Sequence, residues 1–205
     1  GLVLEPMAST LEGLVGRVAP DVVVAVDPNC RPSAITDEPA FRDRLDRVLA
    51  RADVVKVSTE DLAFLAPGPA PVDAAAGLLE RGAGVVLVTA GDGDVQVVSR
   101  GWRSSLPTPT VEVVDTVGAG DSFCGAFLAW WAERSLGRAE LADRALVEAA
   151  VVFATQVAAM TCRRSGAEPP RRAELGAAGA APPGAAPPPH TLGSDHARSV
   201  ATERA

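Results

Sequence analysis

The segment Asp115–Phe127, which reads DTVGAGDSFCGAF, places Gly118 and Gly120 directly before the carboxylate of Asp121. It follows the β-branched run TPTVEVV at 108–114, which predicts a strand, and it precedes LAWWAERSL, which continues a helical pattern. The segment is therefore predicted to be a tight turn between a strand and a helix. At such a turn the first N–H groups of the helix lack partners and lie at the positive end of the helix dipole.

These glycines predict an anion site, because a phosphate can approach backbone amides where Gly118 and Gly120 carry no side chain. The Asp121 carboxylate would repel that phosphate. Its presence makes sense if it takes a proton from an attacking hydroxyl while the amides neutralise a transferring phosphoryl group; a simple helix cap is the alternative. The dinucleotide fingerprint does not fit, since Phe123 replaces its third glycine, and no lysine follows to make a Walker loop.

Composition limits the class of protein. The 205 residues are 47% hydrophobic, enough for one domain with a tail, and a net charge of −7 argues against a nucleic-acid surface. The apolar runs are interrupted before they reach the length of a membrane span. The cysteines, Cys30, Cys124 and Cys162, have neither disulfide nor zinc spacing, which indicates a reducing cytoplasm. Both histidines, His190 and His196, lie near the C-terminus, so the folded part must carry out proton chemistry without histidine.

Strand and helix patterns alternate along the chain, which predicts an α/β fold with a mainly parallel sheet. Predicted strands cover residues 1–6, 21–27, 53–58, 84–91, 94–100 and 108–114. Predicted helices cover residues 7–20, 41–52, 59–66, 71–82, 120–136 and 138–163. Residues 176–189 contain only Gly, Ala and Pro. We therefore predict one folded domain over 1–174 and a disordered tail over 175–205.

The turn segment DTVGAGDSFCGAF resembles the C-terminal signature of the ribokinase-like (PfkB) family of carbohydrate kinases. VDPNCRP at 26–32 resembles the D-x-N-x-R segment of the fructokinase-like and ketodeoxygluconate-kinase-like members. VKVSTEDLAFL at 55–65 resembles the strand and helix with the N-x-x-E motif, and VTAG at 88–91 resembles the nucleotide-side T-x-G. FATQVAAMTCRRSGAEPP at 153–170 resembles the closing helix and loop. The resemblance implies a three-layer α/β sandwich, ATP with Mg²⁺ as phosphate donor, and K⁺ as a further ion in some members.

The resemblance also implies roles for individual residues. Asp121 would be the catalytic base on a sugar hydroxyl. The anion hole would consist of the backbone amides of Val117, Gly118, Ala119 and Gly120. The nucleotide side would include Lys56, Ser58, Thr89, Gly91 and Thr155, although the family often has asparagine at the positions of Ser58 and Thr155.

Three charged residues receive roles from the same resemblance. Asp61 stands at the acidic position of N-x-x-E and would organise Mg²⁺ through water. Asp115 matches a monovalent-cation site, with a structural cap as the alternative. Arg31, like Lys56, would reach phosphate, with a solvated surface charge as the alternative for both.

Family members begin with N-terminal strands and a β-lid that carry most of the sugar contacts, whereas GLVLEP at 1–6 resembles a strand from the middle of the sheet. We therefore expect the N-terminal strands and lid to be missing, so the sequence does not name the sugar. The function expected is ATP-dependent phosphotransfer to a sugar or sugar acid, without nucleic-acid or membrane partners. A homodimer is an open option for the full-length form. The alternatives are a non-catalytic nucleotide-binding remnant and a nucleoside kinase of the same superfamily.

Overall fold

The computed structural model describes residues 1–179. Its helices are α1 (Met7–Val15), α2 (Glu38–Leu49), α3 (Thr59–Leu65), α4 (Pro71–Glu80), α5 (Ala119–Glu133) and α6 (Arg144–Cys162). Its strands are β1 (Ala25–Val26), β2 (Val54–Ser58), β3 (Val85–Thr89), β4 (Val95–Ser99) and β5 (Arg103–Leu106). Short 3₁₀ turns cover Pro32–Ala34, Ala139–Ala142 and Arg172–Gly179.

The five strands form one sheet in the order β1-β2-β3-β4-β5. The pairs β1–β2 and β2–β3 are parallel, and β2 matches β3 over its full length, from Val54 opposite Val85 to Ser58 opposite Thr89. The pairs β3–β4 and β4–β5 are antiparallel. The α/β class is confirmed. The parallel part uses helical crossovers, whereas β3, β4 and β5 follow one another through short turns.

Side chains alternate between the two faces of the sheet, and each face carries its own apolar core. On one face, Val55 and Val86 pack with residues of α2, α3 and α4. On the other face, Val54 and Val85 pack with residues of α5 and α6, among them the stacked rings of Phe127 and Trp131. The helix–sheet–helix layering agrees with the three-layer sandwich expected from the sequence.

The predicted strand over 108–114 is wrong, because this segment is irregular. Pro107 and Pro109 have no N–H for a ladder, and Val113 and Val114 are 57% and 61% exposed. The antiparallel edge of the sheet is β5 instead, whose sequence RSSL gives little apolar signal. The predicted strand over 1–6 is also absent from the described fold, and of the run 21–27 only β1 is a strand.

Helix α6 is 19 residues long, with a mean hydropathy of 1.7 over its most apolar window, and by length and composition alone it could cross a membrane. The expectation that every apolar run falls short of a span is therefore corrected. Half of that window is buried within the protein, where Val147 and Val151 pack in the α5–α6 core. The predicted tail over 175–205 lies mostly outside the described residues, and its first five residues belong to the Arg172–Gly179 turn, which is kinked at Gly176.

Candidate active site

The site begins at the N-terminus of α5, where the chain turns sharply at Gly118. Gly118 is the N-cap, with φ of 78°, a conformation that favours glycine. A Cβ built on Gly118 would lie 2.6 Å from the Cβ of Ala167 and 2.9 Å from its Cα. Both the backbone conformation and the close approach of the 163–170 loop therefore require glycine at this position.

The backbone amides of this turn are only partly engaged. The Val117 N–H donates to Asp115 Oδ1 at 3.0 Å, and the Ala119 N–H donates to the Thr116 carbonyl at 3.2 Å. Among the residues that the structure describes, the N–H groups of Gly118, Gly120 and Asp121 have no partner. Two of the four amides expected in an anion hole are thus already bonded, and the Asp121 amide joins Gly118 and Gly120 as an open donor.

A cavity of about 620 Å³ opens beside this turn, at the carboxyl ends of β2 and β3, the edge of an open α/β sheet where ligands bind. It brings the five residues predicted for the nucleotide side together with two from the predicted anion hole: Lys56, Ser58, Thr89, Gly91, Thr155, Ala119 and Gly120. The irregular segment 108–113 forms another wall. Sequence reasoning missed this wall because it assigned the segment to a strand.

Lys56 is the charged residue at the end of the cavity nearest the turn. Its side chain is 10% exposed, and Nζ donates to Asp27 Oδ2 at 2.9 Å. A Cβ on Gly120 would lie 2.9 Å from that Nζ. The ammonium therefore lies against the turn that carries the open amides. Asp27 belongs to the segment VDPNCRP, where the sequence alone indicates no role for it, and only the fold brings it to Lys56.

Cys124 lies next to this ion pair, with Sγ 3.8 Å from Asp27 Oδ2. Burial, followed by the charge of Asp27, raises the pKa of the Cys124 thiol to about 12. The residue is therefore a protonated, poorly nucleophilic thiol at neutral pH.

Asp121 is the third residue of α5, directly after Gly120. It is exposed and lines a second hollow of about 570 Å³, together with Gly118, Gly125 and Ala167. The charge of Asp121 also acts on the Cys124 thiol, as do the charges of Asp27 and Lys56, so the carboxylate lies in the neighbourhood of that ion pair as well as of the turn.

Asp61 is nearly buried and holds two segments together. Its Oδ2 accepts from the Ser58 N–H at 3.0 Å and its own N–H donates to Ser58 Oγ at 3.0 Å, which together form the capping box of α3. The Ser58 hydroxyl also donates to Oδ2, at 3.0 Å. Its Oδ1 accepts from the Cys30 N–H at 2.7 Å. Arg31, next in sequence, is exposed and donates to the Cys30 carbonyl at 2.9 Å. In residues 1–179 no group of three or more His, Cys, Asp or Glu side chains is placed to hold a metal ion.

Asp115 connects the turn to the loop after α6. Its carboxylate accepts from the Val117 N–H at 3.0 Å and from the Gly166 N–H at 2.9 Å. These backbone hydrogen bonds, the one from Val117 first, lower the pKa of Asp115 below its usual value of 3.8. In this arrangement the carboxylate joins the turn to the loop after α6, which also carries Ala167, the neighbour of Gly118.

The chain is similar in sequence and in fold to proteins of known function. The sequence model for the pfkB family carbohydrate kinase matches residues 2–173. A fructokinase of Rhizobium leguminosarum bv. trifolii is 38% identical over 128 residues, which cover 62% of this chain and 39% of the relative. The crystal structure of a Xylella fastidiosa fructokinase with bound ATP is 31% identical with a TM-score of 0.73, over 81% of this chain and 54% of that one.

A second solved structure, the fructokinase of Vibrio cholerae O395 in a fructose, ADP and calcium ion bound form, is 25% identical with a TM-score of 0.72. The match covers 81% of this chain and 53% of the Vibrio chain. The chain thus spans about half or less of the length of the proteins it is similar to.

Proposed function

Because this chain belongs to the pfkB family of carbohydrate kinases, we propose that it carries the nucleotide-binding and phosphoryl-transfer part of a sugar kinase. The reaction moves the γ-phosphate of ATP to a hydroxyl of a sugar, and fructose is the first candidate acceptor, since the similar Vibrio cholerae protein binds fructose with ADP. The observation that carries the proposal is the meeting of the Lys56–Thr89 cavity with the open amides at the start of α5.

The phosphates of ATP would lie at the end of the cavity next to the turn. The open N–H groups of Gly118, Gly120 and Asp121 point to an anion site at the positive end of a 15-residue helix. Lys56 adds a full positive charge against the same turn. Phosphoryl transfer is catalysed mainly by positioning and by stabilising charge that develops on the phosphoryl oxygens, and these groups supply both.

The acceptor hydroxyl would approach from the Asp121 side. In-line transfer needs the attacking oxygen and the leaving oxygen on opposite sides of the phosphorus. The turn borders both hollows, with Gly120 in the lining of the first and Gly118 and Asp121 in that of the second, which supports nucleotide in the first and an acceptor beside Asp121. Asp121 is then the group that takes the proton of the attacking hydroxyl.

Two ions belong to the proposal. Mg²⁺ bound with ATP would neutralise phosphate charge, and Asp61, behind Ser58 at the cavity wall, would orient its water ligands. A monovalent cation such as K⁺ would lie near Asp115, where the carboxylate keeps its charge because two amides donate to it.

The test is Asp121→Asn in the chain extended to the length of its relatives, assayed for ATP-dependent phosphorylation of ketoses, aldoses and sugar acids. We expect kcat to fall by about 10²–10⁴-fold, the usual contribution of a general base, with ATP affinity nearly unchanged. Asp143→Asn is the matched control: Asp143 caps α6, away from the turn, and asparagine is an equally good cap.

An Asp121→Asn variant with the kcat of the unaltered enzyme would rule out Asp121 as the base. A chain of full relative length that binds ATP but phosphorylates none of the acceptors would favour a non-catalytic nucleotide-binding protein. Turnover of nucleosides in preference to sugars would favour a nucleoside kinase.

A further inference from the structure

The cavity has two chemically different ends. Lys56, Thr89 and Gly120 mark the end beside the turn. The walls away from it come from the segment 108–111 and from α6 one turn before its end, where the side chains are mostly aliphatic or small: Val95, Pro109, Val111, Ala158 and Ala159. Val113 and Cys162 lie nearer the turn, since the Val114 and Asp115 N–H groups donate to the Cys162 carbonyl.

The polar side chains at the far end are already bonded or stand at the rim. The Thr155 hydroxyl donates to the Val151 carbonyl at 2.8 Å, and the Thr108 hydroxyl donates to the Gly93 carbonyl at 2.7 Å. Thr110 and Asp92 are exposed at the opening. Within residues 1–179, no Asn, Gln, His, Arg, Glu or Tyr side chain lines this cavity.

A protein can distinguish one nucleobase from another only where a protein donor or acceptor faces the polar edge of the nucleobase. Sites built to hydrogen-bond a ligand group reject its analogues by roughly 10⁴–10⁵-fold, whereas an apolar pocket rejects a same-sized analogue by only about 10²-fold or less. An aliphatic slot holds a flat ring by apolar area, and that area is nearly the same for adenine, hypoxanthine and guanine.

We propose that the chain accepts purine nucleoside triphosphates as a class, binding inosine and guanosine nucleotides about as well as ATP. The inference rests on the proposed function, since it places the phosphates at the Lys56 end and therefore the base among the aliphatic residues. A pyrimidine ring covers less of the slot, so uridine nucleotides bind more weakly.

The experiment is isothermal titration calorimetry of the 205-residue chain with the Mg²⁺ complexes of ATP, ITP and GTP. ITP is the sharpest probe, because it replaces the 6-amino donor of ATP by a carbonyl acceptor without changing the size of the ring. The expected result is a set of Kd values that agree within about tenfold.

Two substitutions on α6 test where the nucleobase binds in the cavity. Ala158→Phe fills the aliphatic end and should weaken binding of all three nucleotides by more than about tenfold. Val152→Phe adds the same ring on the same helix, but Val152 is 42% exposed and outside the cavity lining, so it should leave the three Kd values unchanged.

If ATP binds more than about tenfold tighter than both ITP and GTP, this inference is overturned and the proposed function is not. Backbone groups of the 108–113 segment would then be hydrogen-bonding to the nucleobase. Nucleotide affinities unaltered by a folded Ala158→Phe variant would also overturn it. If none of the three nucleotides binds, the proposed function falls and the inference falls with it.

Discussion

Replacement of Gly118 by alanine should damage the fold as well as the site. The φ of 78° places an alanine in the left-handed region, which costs about 1–2 kcal/mol. The new Cβ would stand 2.6 Å from Ala167 Cβ, and overpacking of this kind costs about 1–3 kcal/mol. Together these effects lower the free energy of unfolding by about 2–5 kcal/mol, a large part of the 5–15 kcal/mol typical of a domain.

Gly125→Ala provides the matched control on the same helix. A Cβ on Gly125 has no atom within 4 Å, and alanine is favoured over glycine inside a helix by about 0.8–1.0 kcal/mol. We therefore expect this variant to be slightly more stable than the unaltered chain. The two substitutions add the same methyl group and should shift stability in opposite directions.

The stability of both variants is measured by urea unfolding, followed by circular dichroism and by the fluorescence of the buried Trp130 and Trp131. ATP titration of the folded protein then measures the affinity of the site. Gly118→Ala should bind ATP more weakly because the turn amides are displaced. A Gly118→Ala midpoint equal to that of the unaltered chain would refute the argument, since neither the strain at residue 118 nor the contact with Ala167 would then exist.

Two further changes test Lys56 in the cavity and the carboxylate of Asp115. Lys56→Met should weaken ATP binding by about tenfold or more while leaving adenosine binding nearly unaltered, because a hydrogen bond to a charged group is typically worth about 1.5–3 kcal/mol; equal losses in calorimetry for both ligands would instead indicate damage to the fold. Asp115 has a lowered pKa in the folded chain, so its contribution to stability is present above its usual pKa of 3.8 and is lost as pH falls through the lowered value. Asp115→Asn should therefore unfold at lower urea than the unaltered chain above about pH 4, with the two converging at lower pH; parallel curves at every pH would contradict this.

The strands predicted most closely are β2, β3 and β4, whose sequences are rich in valine. The run over 53–58 and the run over 84–91 became β2 and β3 because a central parallel strand is buried on both faces. The same criterion failed at 108–114, since it counted valines and threonines but not the missing donors of Pro107 and Pro109. It also missed β5, because the polar sequence of β5 does not indicate a strand. This segment is a strand because it pairs with β4.

Some features of the candidate site could likewise be predicted from the sequence, and others could not. Motif resemblance selected Lys56, Thr89 and Gly120. The structure brings them to one cavity because Lys56 and Thr89 lie near the carboxyl ends of the adjacent parallel strands β2 and β3, and the start of α5 packs against Lys56. The pairing of Lys56 with Asp27 depends on how β1 lies beside β2, which local pattern does not encode. The position of the Asp121 carboxylate relative to the cavity depends on the direction of α5, and this too comes only from packing.

The strand order of the sheet equals the order of synthesis, since each strand pairs with the next one along the chain. A chain leaving the ribosome can therefore add each new strand to the edge left by its predecessor. The helices α2, α3 and α4 alternate with the first strands and cover one face as the sheet grows. The other face must wait, because α5 and α6 follow every strand. Until about residue 162 has emerged, the apolar side chains of Val54, Val85 and Leu87 have no covering layer, which makes this the stage of biosynthesis at which the chain is most prone to aggregate.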